Sequence, residues 1–158
     1  DRLTMEIMAR MKLEVVDLAG FEDLMPAELS GGMIKRAAFA RAVIMDPKLL
    51  FCDEPSAGLD PVVASALDDL ILKLRDALQM TVVVVTHELE SVFKIADRVT
   101  VLDRGHILFI GTVEELRNNK SERIQNLLNR RPEDENIDPD EYLRRLTGEK
   151  EKGGDATL

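Results

Sequence analysis

Two short apolar runs, each followed directly by polar residues, set narrow limits on the fold of this chain. Residues 49–52 are apolar throughout and precede Asp53 and Glu54, and the apolar run over residues 81–86 precedes His87. Segments that are apolar on both faces are typical of strands buried in a parallel sheet. The carboxyl ends of such strands form the sheet edge at which open α/β folds bind ligands. The chain is therefore predicted to place its polar residues at that edge.

Helical segments surround the two predicted strands. A helix is predicted over residues 61–78, with Asp60 as its N-cap and Pro61 at its first position. Strands that alternate with helices indicate a layered α/β fold with a mostly parallel sheet. The other predicted elements are helices over residues 3–18, 30–45, 88–96, 112–118 and 121–129, and a β-hairpin of residues 98–102 with 107–110.

The composition is that of a globular chain with a surplus of acidic residues. Hydrophobic residues make up 45% of the 158 residues and charged residues 32%, which excludes long disorder over most of the chain. The net charge of -9 disfavours nucleic acid as a partner, since such binders carry a basic surface. One cysteine, Cys52, excludes an internal disulfide. No apolar run approaches the roughly 18 residues of a membrane span, and the cytosol is the expected compartment.

Three segments differ in character: residues 1–47 are predicted to be helical, 48–131 to be α/β, and 132–158 to be an acidic extension. The extension contains nine acidic and four basic residues. A short helix is predicted over residues 139–146, and residues 149–158 are expected to be disordered. The helix would carry an apolar face, which either packs on a neighbouring subunit or belongs to a loose solubilising tail. The residues of this face are Tyr142, Leu143 and Leu146.

The polar residues that follow the strands have the chemistry of a hydrolytic site. Asp53 can hold Mg²⁺, through water, because that ion prefers oxygen ligands and retains several waters. Glu54 can orient and deprotonate an attacking water. His87 can hydrogen-bond a phosphate oxygen or that water. The alternatives are a solvated acidic turn after a core strand and a structural histidine at the start of a helix.

A serine and two glycines begin the helix predicted from residue 30. Ser30 is a good N-cap, and Gly31 and Gly32 expose backbone N–H groups at the positive end of the helix dipole. This arrangement favours phosphate binding, although a flexible cap is an equally good interpretation. The turn over residues 56–61 places Asp60 just beyond Glu54, and Asp60 is in any case a helix cap.

The order of these features resembles that of the ABC-type ATPases, the nucleotide-binding subunits of ABC transporters. Residues 29–33 resemble the signature motif, and residues 49–53 with Glu54 resemble the Walker B strand and its catalytic glutamate. Residues 56–60 match the D-loop, and His87 matches the switch histidine. The resemblance covers about residues 11–128 and implies part of a P-loop NTPase core together with part of its helical subdomain.

The residue after the signature glycines indicates a narrower group. The family usually has Gln at the position of Met33, and a Met preceded by residues 24–28 of this sequence is similar to the ATPases of MCE-associated (Mla-type, toluene-tolerance) phospholipid transport systems of Gram-negative bacteria. This resemblance implies a subunit on the cytoplasmic face of the inner membrane. Its partners would be a membrane permease, a second ATPase subunit and an MCE-type lipid-binding protein, and it would drive phospholipids between the inner and outer membranes.

The resemblance also implies a mechanism with ATP and Mg²⁺. Two subunits would face head to tail, with ATP between the P-loop of one and residues 30–33 of the other. Glu54 would activate the water, and His87 would contact the γ-phosphate. Asp53 would serve the metal, and Asp60 would couple the two sites across the interface.

One motif of the family does not occur. The sequence contains no Gly-x-x-x-x-Gly-Lys-Ser/Thr segment, and hence no P-loop. The chain is therefore predicted to be a C-terminal portion of such a subunit that is inactive alone. Three alternatives stay open: a non-catalytic partner-binding half-domain, a soluble ABC ATPase not coupled to transport, and a metal-dependent hydrolase that uses Asp53, Glu54 and His87.

Overall fold

A computed structural model describes residues 1–131 of the chain. The predictions for the acidic extension, including its helix over residues 139–146, lie outside the described residues. The helices are α1 (Arg2–Val15), α2 (Gly31–Ala42), α3 (Pro61–Leu78), α4 (Leu89–Ile95), α5 (Val113–Arg117) and α6 (Glu122–Leu128), and a 3₁₀ turn spans Pro26–Glu28. The strands are β1 (Leu49–Asp53), β2 (Thr81–Val85), β3 (Arg98–Asp103) and β4 (His106–Thr112).

The strands form one parallel and one antiparallel pair. β1 and β2 are parallel and in register, with Leu49 opposite Thr81 and Asp53 opposite Val85. β3 and β4 form the predicted hairpin. The parallel pair follows from the chain order, because α3 lies between the two strands and returns the chain to the same starting edge. The mixed α/β architecture predicted from the sequence is confirmed.

The prediction that both strands are buried on both faces is wrong. β1 alternates between exposed and buried residues, and Phe51 on its outward face is 71% exposed. Leu49, Val83 and Val85 are exposed as well. An apolar side chain shows that a strand residue can be buried, but it does not show that another element packs on it. Within residues 1–131 no element covers this face of the sheet.

The core lies on the other face of β1 and β2. α3 packs there, together with α2 and the turn that follows α1. The buried cluster consists of Val16, Leu18, Phe39, Ala40, Val43, Leu50, Cys52, Leu67, Leu70, Ile71, Leu74 and Met80. The helix that begins at Ser30 therefore shares one core with the strand that ends at Asp53.

Two helices end earlier than the sequence predicts. α1 stops at Val15 because Asp17 has a positive φ of 59°, so Leu18 is buried in the core from the turn rather than from the helix. Nearer the start of α1, the apolar side chains of Leu3, Ile7 and Met11 are exposed, whereas Val15 packs against the core. α2 ends at Ala42 rather than near residue 45.

The chain divides into two compact units, Asp1–Asn118 and a second that begins at Asn119. The first contains all four strands and helices α1 to α5. The described part of the second contains α6, whose N-cap Ser121 makes no side-chain capping bond. Instead, the Asn119 side chain accepts a hydrogen bond from the Ser121 N–H at 2.8 Å. None of the helices within residues 1–131 has the length and apolar character needed to span a bilayer.

Candidate active site

The carboxyl ends of β1 and β2 bring the predicted hydrolytic residues together. The register sets Asp53 opposite Val85, and the Glu54 N–H extends the ladder by one step, donating to the Val85 carbonyl at 2.8 Å. His87 lies two residues beyond Val85 on the neighbouring strand. The parallel pairing thus places Glu54 and His87 at one edge of the sheet, as the sequence predicted.

A direct hydrogen bond joins the two side chains. The Nδ1 atom of His87 donates to Oε1 of Glu54 at 2.8 Å, and the hydroxyl of Thr86 donates to Oε2 at 3.2 Å. Because an ionised carboxylate only accepts hydrogen bonds, Nδ1 carries the proton in this contact. The Glu54 side chain is 33% exposed and that of His87 75%, so the pair is held in place yet accessible to a ligand.

The electrostatic surroundings keep Glu54 ionised. The hydrogen bond from His87 lowers the pKa of the Glu54 carboxyl below its ordinary value, and the bond from Thr86 acts in the same direction. The carboxylate is therefore negatively charged at neutral pH. It is in the state required of a general base that accepts a proton from water.

The backbone of Glu54 adopts an uncommon conformation. Its φ of 44° lies in the left-handed region, which few residues other than glycine occupy.

The main chain of Glu54 also contacts α2. The Nζ atom of Lys35, one turn into α2, lies 3.5 Å from the Glu54 carbonyl oxygen. The helix that is capped by Ser30 therefore contacts the main chain of Glu54 through Lys35.

Thr86 and Lys35 are the two residues of this site that the sequence reading missed. The Thr86 hydroxyl also accepts a hydrogen bond from the N–H of Glu88 at 3.1 Å, so one side chain ties Glu54 to the start of α4. A threonine whose hydroxyl can accept from the N–H two residues further on, here that of the N-cap Glu88, is a known turn signal and could have been recognised. No local pattern distinguishes Lys35 from other helical lysines.

Asp53 follows the last buried position of β1, and its side chain is exposed at the same edge. Within residues 1–131 no group of three or more His, Cys, Asp or Glu side chains is arranged to hold a metal ion. Mg²⁺ is commonly bound through one or two carboxylates, waters and substrate phosphates. A single exposed carboxylate such as Asp53 is compatible with that kind of magnesium binding, and its predicted metal role stays a prediction.

The start of α2 has the geometry of an anion site. The Ser30 hydroxyl caps the helix by accepting from the Met33 N–H at 3.3 Å, as predicted. Gly31 and Gly32 occupy the first helical positions, where N–H groups have no partner within the helix. The side chain of Met33 packs against the core, so the structure places it apart from the exposed start of the helix.

Asp60 caps α3, and the turn before it lies beside the start of α2. Its Oδ1 atom accepts from the N–H groups of Val62 and Val63, both at 3.1 Å. The two glycines approach this region closely. A Cβ on Gly31 would lie 3.6 Å from Leu59, and one on Gly32 would lie 2.8 Å from Val63. The signature-like segment and the segment around Asp60 are thus neighbours within one chain.

Replacing Gly32 by alanine is expected to destabilise the fold by about 1–3 kcal/mol, because the new methyl group overlaps Val63, whose β-branched side chain is stiff. Gly31→Ala is the matched control, since its Cβ would meet Leu59 at an ordinary contact distance. Urea unfolding of both variants measures the difference. The double variant Gly32→Ala/Val63→Ala should recover most of the loss, and equal stability of the two single variants would contradict this packing argument.

Comparison with known proteins agrees with this geometry. Residues 4–57 match the family model described as ABC transporter. The chain is 44% identical over 118 residues to the intermembrane phospholipid transport system ATP-binding protein MlaF of Escherichia coli K12, a match that covers 75% of this chain and 44% of that protein. It is 37% identical over 153 residues to the methionine import ATP-binding protein MetN of Mannheimia succiniciproducens, covering 92% of this chain and 44% of that protein.

Solved structures give the same result. The ADP conformation of an ATP-binding cassette of an ABC transporter superposes with a TM-score of 0.67 at 31% identity, over 80% of this chain and 46% of that one. A component of the cbiONQ transporter complex from Clostridium perfringens gives a TM-score of 0.70 at 26% identity, over 92% of this chain and 55% of the other.

The fold and the paired strand ends define the class first: this is an α/β domain of the P-loop NTPase type. Residues 4–57 match the ABC transporter family, and the chain is similar over three quarters of its length to the ATP-binding protein of a transport system. It spans a little under half the length of the curated relatives described above.

Proposed function

We propose that this chain supplies the hydrolytic side chains and the phosphate-binding helix of the ATPase subunit of a bacterial ABC transporter. The observation that carries the proposal is the bond between His87 Nδ1 and Glu54 Oε1 at the shared edge of β1 and β2. The metal-dependent hydrolase alternative requires a larger set of ligands than Asp53, Glu54 and His87. The paired edge residues and the glycine-started helix favour nucleotide hydrolysis.

In the proposed reaction, Glu54 accepts a proton from the water that attacks the γ-phosphate. His87 orients the carboxylate through Nδ1, and Asp53 would hold Mg²⁺, which would supply positive charge to the phosphates. Phosphoryl transfer of this kind depends on positioning and charge stabilisation, with little covalent chemistry for the protein to perform. The hydrogen bonds that fix both oxygens of Glu54 are consistent with that requirement.

The phosphates need a second set of contacts. The 158 residues contain no P-loop motif, so the proposal places that cradle on another segment and uses the start of α2 in trans. The N–H groups of Gly31 and Gly32 lie at the positive end of the helix dipole and are suited to the γ-phosphate. Two subunits would then bind ATP head to tail, and Asp60 would lie at the interface between them.

The proposed cargo is phospholipid. The relatives at 43–44% identity are named as ATP-binding proteins of an intermembrane phospholipid transport system. Such a subunit would work on the cytoplasmic face of the inner membrane with a permease and an MCE-type lipid-binding protein. Methionine import is the second candidate, because the MetN relative matches 92% of this chain.

A complementation experiment separates the two cargoes. A complete subunit containing these residues is expected to restore the outer-membrane lipid barrier in a bacterium that lacks its phospholipid-transport ATPase. The same subunit should fail to restore growth on limiting methionine in a strain that lacks the methionine-import ATPase. A Glu54→Gln version is the control, since it should be produced at the same level and rescue neither strain. Rescue of the methionine strain alone would overturn the lipid proposal.

A further inference from the structure

A buried polar contact joins α3 to α4 away from the candidate active site. The hydroxyl of Ser91 in α4 donates to Oδ2 of Asp68 in α3 at 2.9 Å. Asp68 is 4% exposed and Ser91 is 6% exposed. A buried polar group without a partner is costly, so each of the two residues depends on the other. The proposed reaction assigns no role to either.

α4 depends on such contacts for its position. It has only seven residues, and its N-cap Glu88 makes no side-chain capping bond. Helices this short do not persist without tertiary contacts. Lys94 donates to the Ser65 carbonyl at 2.7 Å, and Arg117 lies 4.3 Å from the ring centroid of Phe93. Ser91 is the buried residue of the helix and lies in its first turn, which is the end nearest to His87.

We propose that Asp68 and Ser91 are positioning residues that hold the first turn of α4 and thereby fix His87 against Glu54. The effect of these two residues on ATP hydrolysis rests on the proposed function, whereas their effect on the position of His87 does not. His87 lies four residues before Ser91, with Glu88 between them as the N-cap.

Two contacts transmit the position of this turn to the site. The Glu88 N–H donates to the Thr86 hydroxyl, and that hydroxyl in turn donates to Glu54. A shift of the first turn therefore disturbs both bonds that hold the Glu54 carboxylate, the one from Thr86 and the one from His87.

The inference can be tested without nucleotide. The chain has two histidines, so imidazole ¹⁵N spectra at a fixed pH report on His87, with His106 of the β3–β4 hairpin as an internal reference. Ser91→Ala removes one oxygen atom and is expected to move the His87 resonances while His106 stays unchanged. The matched control is Ser65→Ala, which removes an exposed hydroxyl that accepts from Lys94 near the other end of α4 but keeps the bond from Lys94 to the Ser65 carbonyl, so both histidines should stay unchanged.

Substitution of Asp68 provides the second arm. Asp68→Asn keeps an oxygen that can accept from Ser91, so the wild-type His87 spectrum is expected, whereas Asp68→Ala should reproduce the effect of Ser91→Ala. If Asp68→Ala fails to fold, the contrast between Ser91→Ala and Asp68→Asn still decides. Unchanged His87 resonances in folded Ser91→Ala would overturn the inference.

Activity provides an independent readout. In a complete subunit, Ser91→Ala is expected to lower kcat about tenfold with the KM for ATP unchanged, because a small misplacement of a catalytic group affects the reaction more than binding. Asp68→Asn should retain wild-type kcat. A wild-type subunit without any ATPase activity would refute the proposed function and leave the spectral result standing, whereas normal kcat in Ser91→Ala would refute the positioning role alone.

Discussion

Replacement of Glu54 by glutamine is expected to lower ATP hydrolysis by a complete subunit by about 10²–10⁴-fold, the range typical of the loss of a general base. Glutamine has the shape of glutamate and retains an oxygen that can accept from His87 Nδ1, so the local structure should persist. ATP binding should survive, because Glu54 is proposed to act on water rather than on the phosphates. The variant would therefore hold nucleotide without turning it over.

The measurement is a comparison of steady-state hydrolysis with equilibrium ATP binding. Glu90→Gln is a matched control, because it removes an exposed carboxylate from the first turn of α4 and should hydrolyse ATP normally. Turnover near the wild-type rate in Glu54→Gln would remove Glu54 from its proposed role. The site would then be the solvated acidic turn that the sequence also allows.

Replacement of His87 by alanine is expected to reduce hydrolysis on the order of 10²-fold, because a general base without a fixed orientation loses part of the roughly 10²–10⁴-fold that its proton transfer contributes. The substitution removes the donor that holds one oxygen of Glu54 and is the main cause of its lowered pKa. The pKa of Glu54 should therefore rise towards its ordinary value, and its carboxylate should lose its fixed orientation.

Single-turnover hydrolysis is the appropriate measurement for His87→Ala, since it excludes effects on product release. His106→Ala is the control, because this residue lies in the β-hairpin and is expected to have no effect. The double variant Glu54→Gln/His87→Ala should be no slower than Glu54→Gln, since residues that act as a unit are not additive. A normal single-turnover rate in His87→Ala would assign the histidine a structural role.

The sequence predicts the elements and their caps well because these depend on local chemistry. Ser30 and Asp60 cap the helices that they were expected to cap, and the strands over Leu49–Asp53 and Thr81–Val85 pair in parallel. The contact of Glu54 with His87 follows from that pairing. Two adjacent parallel strands end at the same edge of the sheet, so the residues that follow them in the chain lie close together.

Other features depend on contacts between distant segments, and no local pattern carries them. The outward face of β1 is as apolar as its inward face, and only the fold shows that Phe51 is exposed. The need for glycine at position 32 arises from Val63, thirty-one residues along the chain. Asp68 and Ser91 have the ordinary appearance of polar helical residues until burial and their mutual hydrogen bond distinguish them.

The left-handed backbone of Glu54 sets backbone strain against the proposed hydrolytic role at one position. A side chain other than glycine in this region costs roughly 1–2 kcal/mol, and glycine would relieve that strain. Because glycine also gives up the bonds from His87 and Thr86, Glu54→Gly is expected to change thermal stability little while it abolishes the proposed hydrolysis. A library intended to keep hydrolysis needs this codon held constant.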